Sequence, residues 1–197
     1  KIGNYTTRQR GEGKHEYYRF MNPQDTTFPQ QVELFSKSIG LIDFPEDAHI
    51  TPIPVGDDLS SLSAILMDDD YYKFTIDNST TEDDIHLANI ESWICLKAKA
   101  YLDLRERKNN GEHVDKKHIE KHKKDVFRLT AMLAPNDVFI VPDSLKIDIT
   151  EFCNYVQENL PNADFFKSIG LPKIKGEQLI SQLKNNFSIE WQKIWFM

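Results

Sequence analysis

Ile90-Glu-Ser-Trp-Ile-Cys-Leu-Lys-Ala-Lys-Ala-Tyr-Leu-Asp-Leu104 is the stretch on which the fold of this chain turns. On a wheel of about 3.6 residues per turn, Ile90, Trp93, Ile94, Tyr101 and Leu104 share one apolar stripe, which predicts a long helix over residues 90–107. Lys97 falls near the centre of the stripe, whereas Lys99 points the opposite way, into water. An ammonium on a buried face is costly unless it meets a carboxylate or a ligand anion. Three fates are open to Lys97: it snorkels out along its own methylenes, it pairs with an acidic side chain for structure alone, or it faces a bound anion.

The turn signal Asn109-Asn-Gly-Glu112 follows, and a second helix is predicted over 115–133. Ile119, Val126 and Leu133 mark its buried stripe, His122 lies within that stripe and Asp125 borders it. An antiparallel hairpin of these two helices brings Asp125 toward Lys97. His122 reads as a core histidine, because no second His or Cys stands at ligand spacing. Further helical spacing covers 148–160 and 176–185, and a last amphipathic turn or two runs through Trp191 and Trp195.

Upstream of residue 89 the pattern changes. Short aromatic and β-branched segments, punctuated by Pro, Asn-Pro and Gly-Asp, predict strands over 16–20, 28–35, 49–55, 61–67 and 71–76. Strands followed by helices indicate an α+β chain, a mostly antiparallel sheet followed by a helical bundle, divided into a strand-rich part, 1–89, and a helical part, 90–197. Asp68, Asp69 and Asp70 invite a metal-site reading, since carboxylates two apart on a strand share a face. Asp57 and Asp69 stand where that motif requires a small and an apolar residue, so a polar turn joining 61–67 to 71–76 is the better account. In the strand 28–35, Glu33 is a carboxylate on a half-apolar element: either a solvent-facing glutamate or one arm of a metal site.

The whole chain, 197 residues with 40% hydrophobic and 28% charged, is long enough to bury a sizeable core and is not dominated by disorder. Its net charge of −7 hides a segregation: residues 43–91 carry −12 and residues 97–128 carry +5. The acidic total argues against non-specific wrapping of DNA, while the basic segment is able to line a local anion or nucleotide site. Two distant cysteines, Cys95 and Cys153, give no disulfide or zinc pattern, and no apolar run nears the roughly 20 residues of a membrane span; a cytoplasmic protein is expected. The start at Lys1, without an initiator Met, suggests that the sequence continues upstream.

Four stretches carry a family resemblance. Phe28-Pro-Gln-Gln-Val-Glu-Leu-Phe-Ser36, Leu62-Ser-Ala-Ile-Leu-Met-Asp-Asp-Asp-Tyr-Tyr72, Leu96-Lys-Ala-Lys-Ala-Tyr-Leu-Asp-Leu104 and Lys121-His-Lys-Lys-Asp-Val-Phe-Arg-Leu129 resemble the later part of bacterial nucleotidyltransferase-like proteins of the AbiEii toxin type. That family lies within the polymerase-β-like nucleotidyltransferase superfamily and includes toxins of toxin–antitoxin and abortive-infection systems. The resemblance covers about residues 16–134 and implies a partial nucleotidyltransferase-like fold. It implies that Lys97 contacts nucleotide phosphates, with Arg105 as its displaced companion. It further implies Asp125 as a catalytic carboxylate and Glu33 as a catalytic, metal-holding one.

The same resemblance implies Mg²⁺ and an NTP as cofactors of the intact protein, and this chain by itself is not expected to bind them. It also implies transfer of a nucleoside monophosphate to an acceptor such as tRNA or protein, and an antitoxin partner. The Gly-Ser turn and the Asp-x-Asp strand that such chemistry requires are absent from the sequence, so they are expected before Lys1 and this chain alone is expected to be inactive. Two alternatives stand beside this one. One is a non-catalytic binding module of the same fold whose acidic segment 43–91 recognises a protein partner; the other is a structural domain in which Lys97 and Asp125 form a buried ion pair.

Overall fold

A computed structural model describes residues 3–10, 14–33, 68–83 and 85–189. The chain divides into two compact units, Lys1–Leu59 and Ser60–Met197. The described residues form an α+β chain, mostly helical, with two small antiparallel sheets and six helices.

In the first unit, β1 (Thr6–Arg10), β2 (Lys14–Met21) and β3 (Gln31–Glu33) form an antiparallel sheet in the order β1-β2-β3. Thr6 pairs with Met21 and Arg10 with Lys14, with a register shift between Thr7 and Arg8. The predicted strand 16–20 is therefore present and longer, and β1 adds a strand that its polar sequence did not announce. The predicted strand 28–35 is shorter at its start. Asp25 accepts hydrogen bonds from the Thr27 backbone N–H (2.9 Å) and hydroxyl (2.7 Å), which folds 25–28 into a turn, and Pro29 has no N–H for a ladder. The predicted strands 49–55 and 61–67, and the turns through Trp191 and Trp195, lie outside the described residues.

Among the described residues, the first element of the second unit is α1 (Asp69–Asp77), which corrects the expected turn and strand over 68–76. Asp68 caps the helix: its Oδ1 accepts from the N–H groups of Asp70 (3.0 Å) and Tyr71 (3.2 Å), satisfying donors that the first turn leaves unpaired. Tyr71 and Phe74, three residues apart, then share the buried face. A hairpin of β4 (Ser79–Glu82) and β5 (Ile85–Ala88) follows. It is fastened to the next helix by Asn89 N–H donating to Asn78 O (2.9 Å) and the Ser92 hydroxyl to the same carbonyl (3.2 Å).

Helix α2 (Ile90–Asn109) is the axis of the unit. It packs on α3 (Lys116–Thr130) and α4 (Asp143–Glu158), and α4 packs in turn on α6 (Gly176–Asn186); the short α5 (Ala163–Ser168) lies between them in sequence. The α2–α3 turn closes as expected, with Gly111 at φ +88° and Glu112 N–H donating to Arg107 O (3.0 Å). Because α2 is covered on several sides, Ile94, Cys95, Ala98 and Ala100 are all fully buried, and the small alanines let neighbouring helices approach closely.

Aromatic contacts lock the layers. Tyr101 of α2 meets Phe152 of α4 edge-on at 5.2 Å, and Phe127 of α3 meets Phe165 and Phe166 of α5 at 5.7 and 5.1 Å. Buried rings of this size stabilise by about 1.5–3 kcal/mol each through removal of apolar surface from water. Polar side chains of α6 close the end of α3: Gln182 donates to Thr130 O (3.1 Å) and Leu133 O (2.9 Å), and Asn186 to Ala134 O (3.1 Å) and Asp137 O (2.6 Å). Among the described residues, no helix is long and apolar enough to cross a membrane.

Candidate functional site

The α2–α3 hairpin brings Lys97 and Asp125 together. Lys97 Nζ stands 3.6 Å from Asp125 Oδ2, with both side chains mostly covered, and Arg128, one turn further along α3, donates from Nη1 to Asp125 Oδ1 at 3.3 Å. Lys97 Nζ also lies over the Trp93 ring, 5.3 Å from its centroid. These residues, with Leu129 and Met132, line an open groove of about 340 Å³. Trp93 is 40% exposed and Met132 73% exposed, so the groove presents unburied apolar surface beside paired charges.

Two lysines on the same helix differ in their electrostatics. For Lys97, burial pulls the pKa below the ordinary lysine value of 10.5; Asp125 opposes that shift, and the nearby Lys121 adds to it. Burial acts on Lys99 as well, but Asp103 (3.5 Å) and Asp148 (3.2 Å) outweigh it and raise the pKa. Lys99 is thus held in an ionic cluster at the α2–α4 contact, which corrects its expected position in water. Tyr71 completes the cluster by donating to Asp148 Oδ2 at 2.8 Å, and burial raises its phenol pKa, with Asp148 adding to the shift. Lys99 is well compensated, while Lys97 is short of negative charge.

His122 sits behind this pair on α3. It is buried, its Nδ1 has no hydrogen-bond partner, and its pKa is lowered to about 4 by burial first and by Lys97 next, with Asp125 opposing. It is a neutral core histidine. Its neutrality leaves Lys97 and Arg128 as the cations that meet Asp125.

Arg105 is placed elsewhere. Its guanidinium lies 3.8 Å over the Tyr155 ring of α4 and donates to the Tyr101 hydroxyl at 3.2 Å, eight residues and about 12 Å of helix rise beyond Lys97. Glu33 ends β3 in the first unit, where its register partner is Arg19. Among the described residues, then, Lys97 and Asp125 meet, and the groove belongs to the second unit. Arg128 and Trp93 complete it; their i+3 and i−4 spacings from Asp125 and Lys97 were the available signal.

The resemblance implies Mg²⁺ beside these residues. Such an ion takes about six oxygens in a near-octahedral shell. Among the described residues no group of three or more His, Cys, Asp or Glu side chains is placed to hold a metal ion, and both Asp125 oxygens face cations. The described residues of the groove do not fit a two-metal centre. No family model, curated protein or solved structure matches the chain. The groove's geometry is therefore the guide to its chemistry.

Proposed function

We propose that the chain is part of a nucleotidyltransferase-like protein of the AbiEii type, and that its groove receives the phosphates of a nucleoside triphosphate. The intact protein then transfers a nucleoside monophosphate to an acceptor, a tRNA or a protein, and releases pyrophosphate. One observation supports this reading: Lys97 and Arg128 both meet a single carboxylate, Asp125, which leaves one cation in surplus at the groove. Asp125 is the positioning residue. Held between Lys97 and Arg128, it keeps both cations at an open groove, and the mostly covered Lys97 ammonium is screened less by water than an exposed one would be. An ion pair kept for structure alone needs neither the surplus cation nor the open groove.

The test is calorimetric titration of the full chain with ATP, GTP, CTP and UTP in EDTA, repeated with Lys97→Met, which removes the charge at nearly constant volume. At least one nucleotide is expected to bind, and the variant is expected to lose roughly tenfold or more in affinity, the worth of one charge-assisted contact of about 1.4 kcal/mol or more. No binding of any of the four at millimolar concentration would overturn the reading. So would equal affinity in a Lys97→Met protein whose circular dichroism matches the parent.

A further inference from the structure

We infer that the outward row of cations on α3 is a docking surface for single-stranded RNA, and that it leads one end of the strand to the groove. The row is read from the charges of α3 themselves; taking RNA as the strand rests on the RNA acceptor of the function proposed above. Helix α3 carries six basic and two acidic side chains, in a chain whose net charge is −7. At about 100° per residue, Lys117, Lys121, Lys124 and Arg128 fall within roughly 60° of one another, on the side opposite the buried Ile119, Val126 and Thr130. Lys117, Lys121 and Arg128 are exposed and Lys124 is half-buried. The row runs about 16 Å along the helix.

Like charges three and four apart on a helix repel, and the two carboxylates of α3 do not relieve this row. Glu120 pairs with Lys123, and Asp125 with Lys97 and Arg128, whereas no ion pair joins Lys117, Lys121 or Lys124 to a carboxylate among the described residues. A polyanion laid along the row relieves that repulsion and releases its own counterions. No apolar side chain of α3 is exposed. Lysine is depleted in protein–protein interfaces, while nucleic-acid interfaces are rich in positive charge, so a phosphate backbone suits this face better than a folded protein does. The row is narrow and the chain as a whole is acidic, which opposes the broad approach of a duplex and leaves room for a single strand. Arg128 belongs to both row and groove, and Lys121 stands near enough to Lys97 to lower its pKa, so row and groove form one continuous cationic path.

The experiment is fluorescence anisotropy of a labelled oligouridine of about 12 nucleotides, titrated with the full chain over a series of salt concentrations and without nucleotide. Binding is expected at low salt, with log K falling against log salt at a slope of about −2 to −3, the value for three or four phosphate contacts to a single strand. Lys117→Gln, Lys121→Gln and Lys124→Gln, which keep a good helix former, should each flatten the slope by about 0.7. The triple variant, with circular dichroism matching the parent, should lose roughly tenfold or more in affinity. Lys173→Gln, at an exposed lysine outside α3, should change neither quantity. No binding at low salt, a slope that the three substitutions leave unchanged, or an equal loss in Lys173→Gln would overturn the surface. Polyglutamate binding tighter than oligouridine would give the row to an acidic protein, and a duplex or a DNA strand binding more than about tenfold tighter would displace single-stranded RNA as the partner. RNA binding without NTP binding leaves the row standing and removes the groove reading; NTP binding without RNA binding does the reverse.

Discussion

Lys97 and Asp125 show how far a residue can be placed from sequence. Their meeting was legible because helix periodicity put each on or beside a buried stripe, and the Asn-Asn-Gly turn folded the two helices back on each other. Lys99 was misplaced by the same wheel, because a wheel sees one helix and Lys99's partner Asp148 comes from α4. Arg105 escaped for a similar reason: it rests on Tyr155, fifty residues later. His122 makes a prediction at this scale. Its pKa is about 4 when folded against 6.5 ordinarily, so below 6.5 the unfolded chain takes up a proton that the native site refuses. Stability from this group is therefore intact above pH 6.5 and falls as pH drops toward 4, by up to about 3 kcal/mol. The environment is mixed, with Lys97, Lys121 and His118 opposing protonation and Asp125 favouring it. Urea unfolding midpoints between pH 7 and 4 should fall more steeply for the parent than for His122→Leu. Parallel curves would remove His122 from the account.

At the scale of elements, what was legible depended on whether local periodicity or tertiary packing decides. The long helices α2, α3 and α6 emerge within a few residues of their expected bounds, since their apolar residues recur at helical spacing. Helix α4 begins earlier than the expected 148, at Asp143 after Pro142, where a proline just before the first turn suits the start of a helix. Helix α1 was read as a strand because Tyr71, Phe74, Thr75 and Ile76 are aromatic or β-branched; the cap at Asp68 and the contact of Tyr71 with α4 override that preference. Asp68→Ala should therefore cost about 1 kcal/mol in urea unfolding, as loss of an N-cap does. Asp69→Ala supplies the comparison and should cost less. Equal effects would mean that the Asp68 cap does not hold α1.

At the scale of the whole molecule, the α+β reading holds at its coarse level: among the described residues two small antiparallel sheets stand beside six helices. The described structure, however, divides into units at 59/60, with residues 68–88 in the same unit as the helices. Cys95 and Cys153 are free and buried, and burial pushes the Cys153 thiol up to about 12 and raises Cys95 as well, which disfavours their thiolates. The net charge of −7 sets the condition any anion must meet: the chain as a whole repels it, and only a local surplus of cations can hold it. The direct test of that surplus is the titration of the Lys97 ε-carbon by NMR in the full chain, assigned with Lys97→Arg, with and without tripolyphosphate. The account predicts a pKa below 10.5 in the free protein that rises when tripolyphosphate is added. A Lys97 that titrates at the ordinary lysine value and ignores the anion would contradict it.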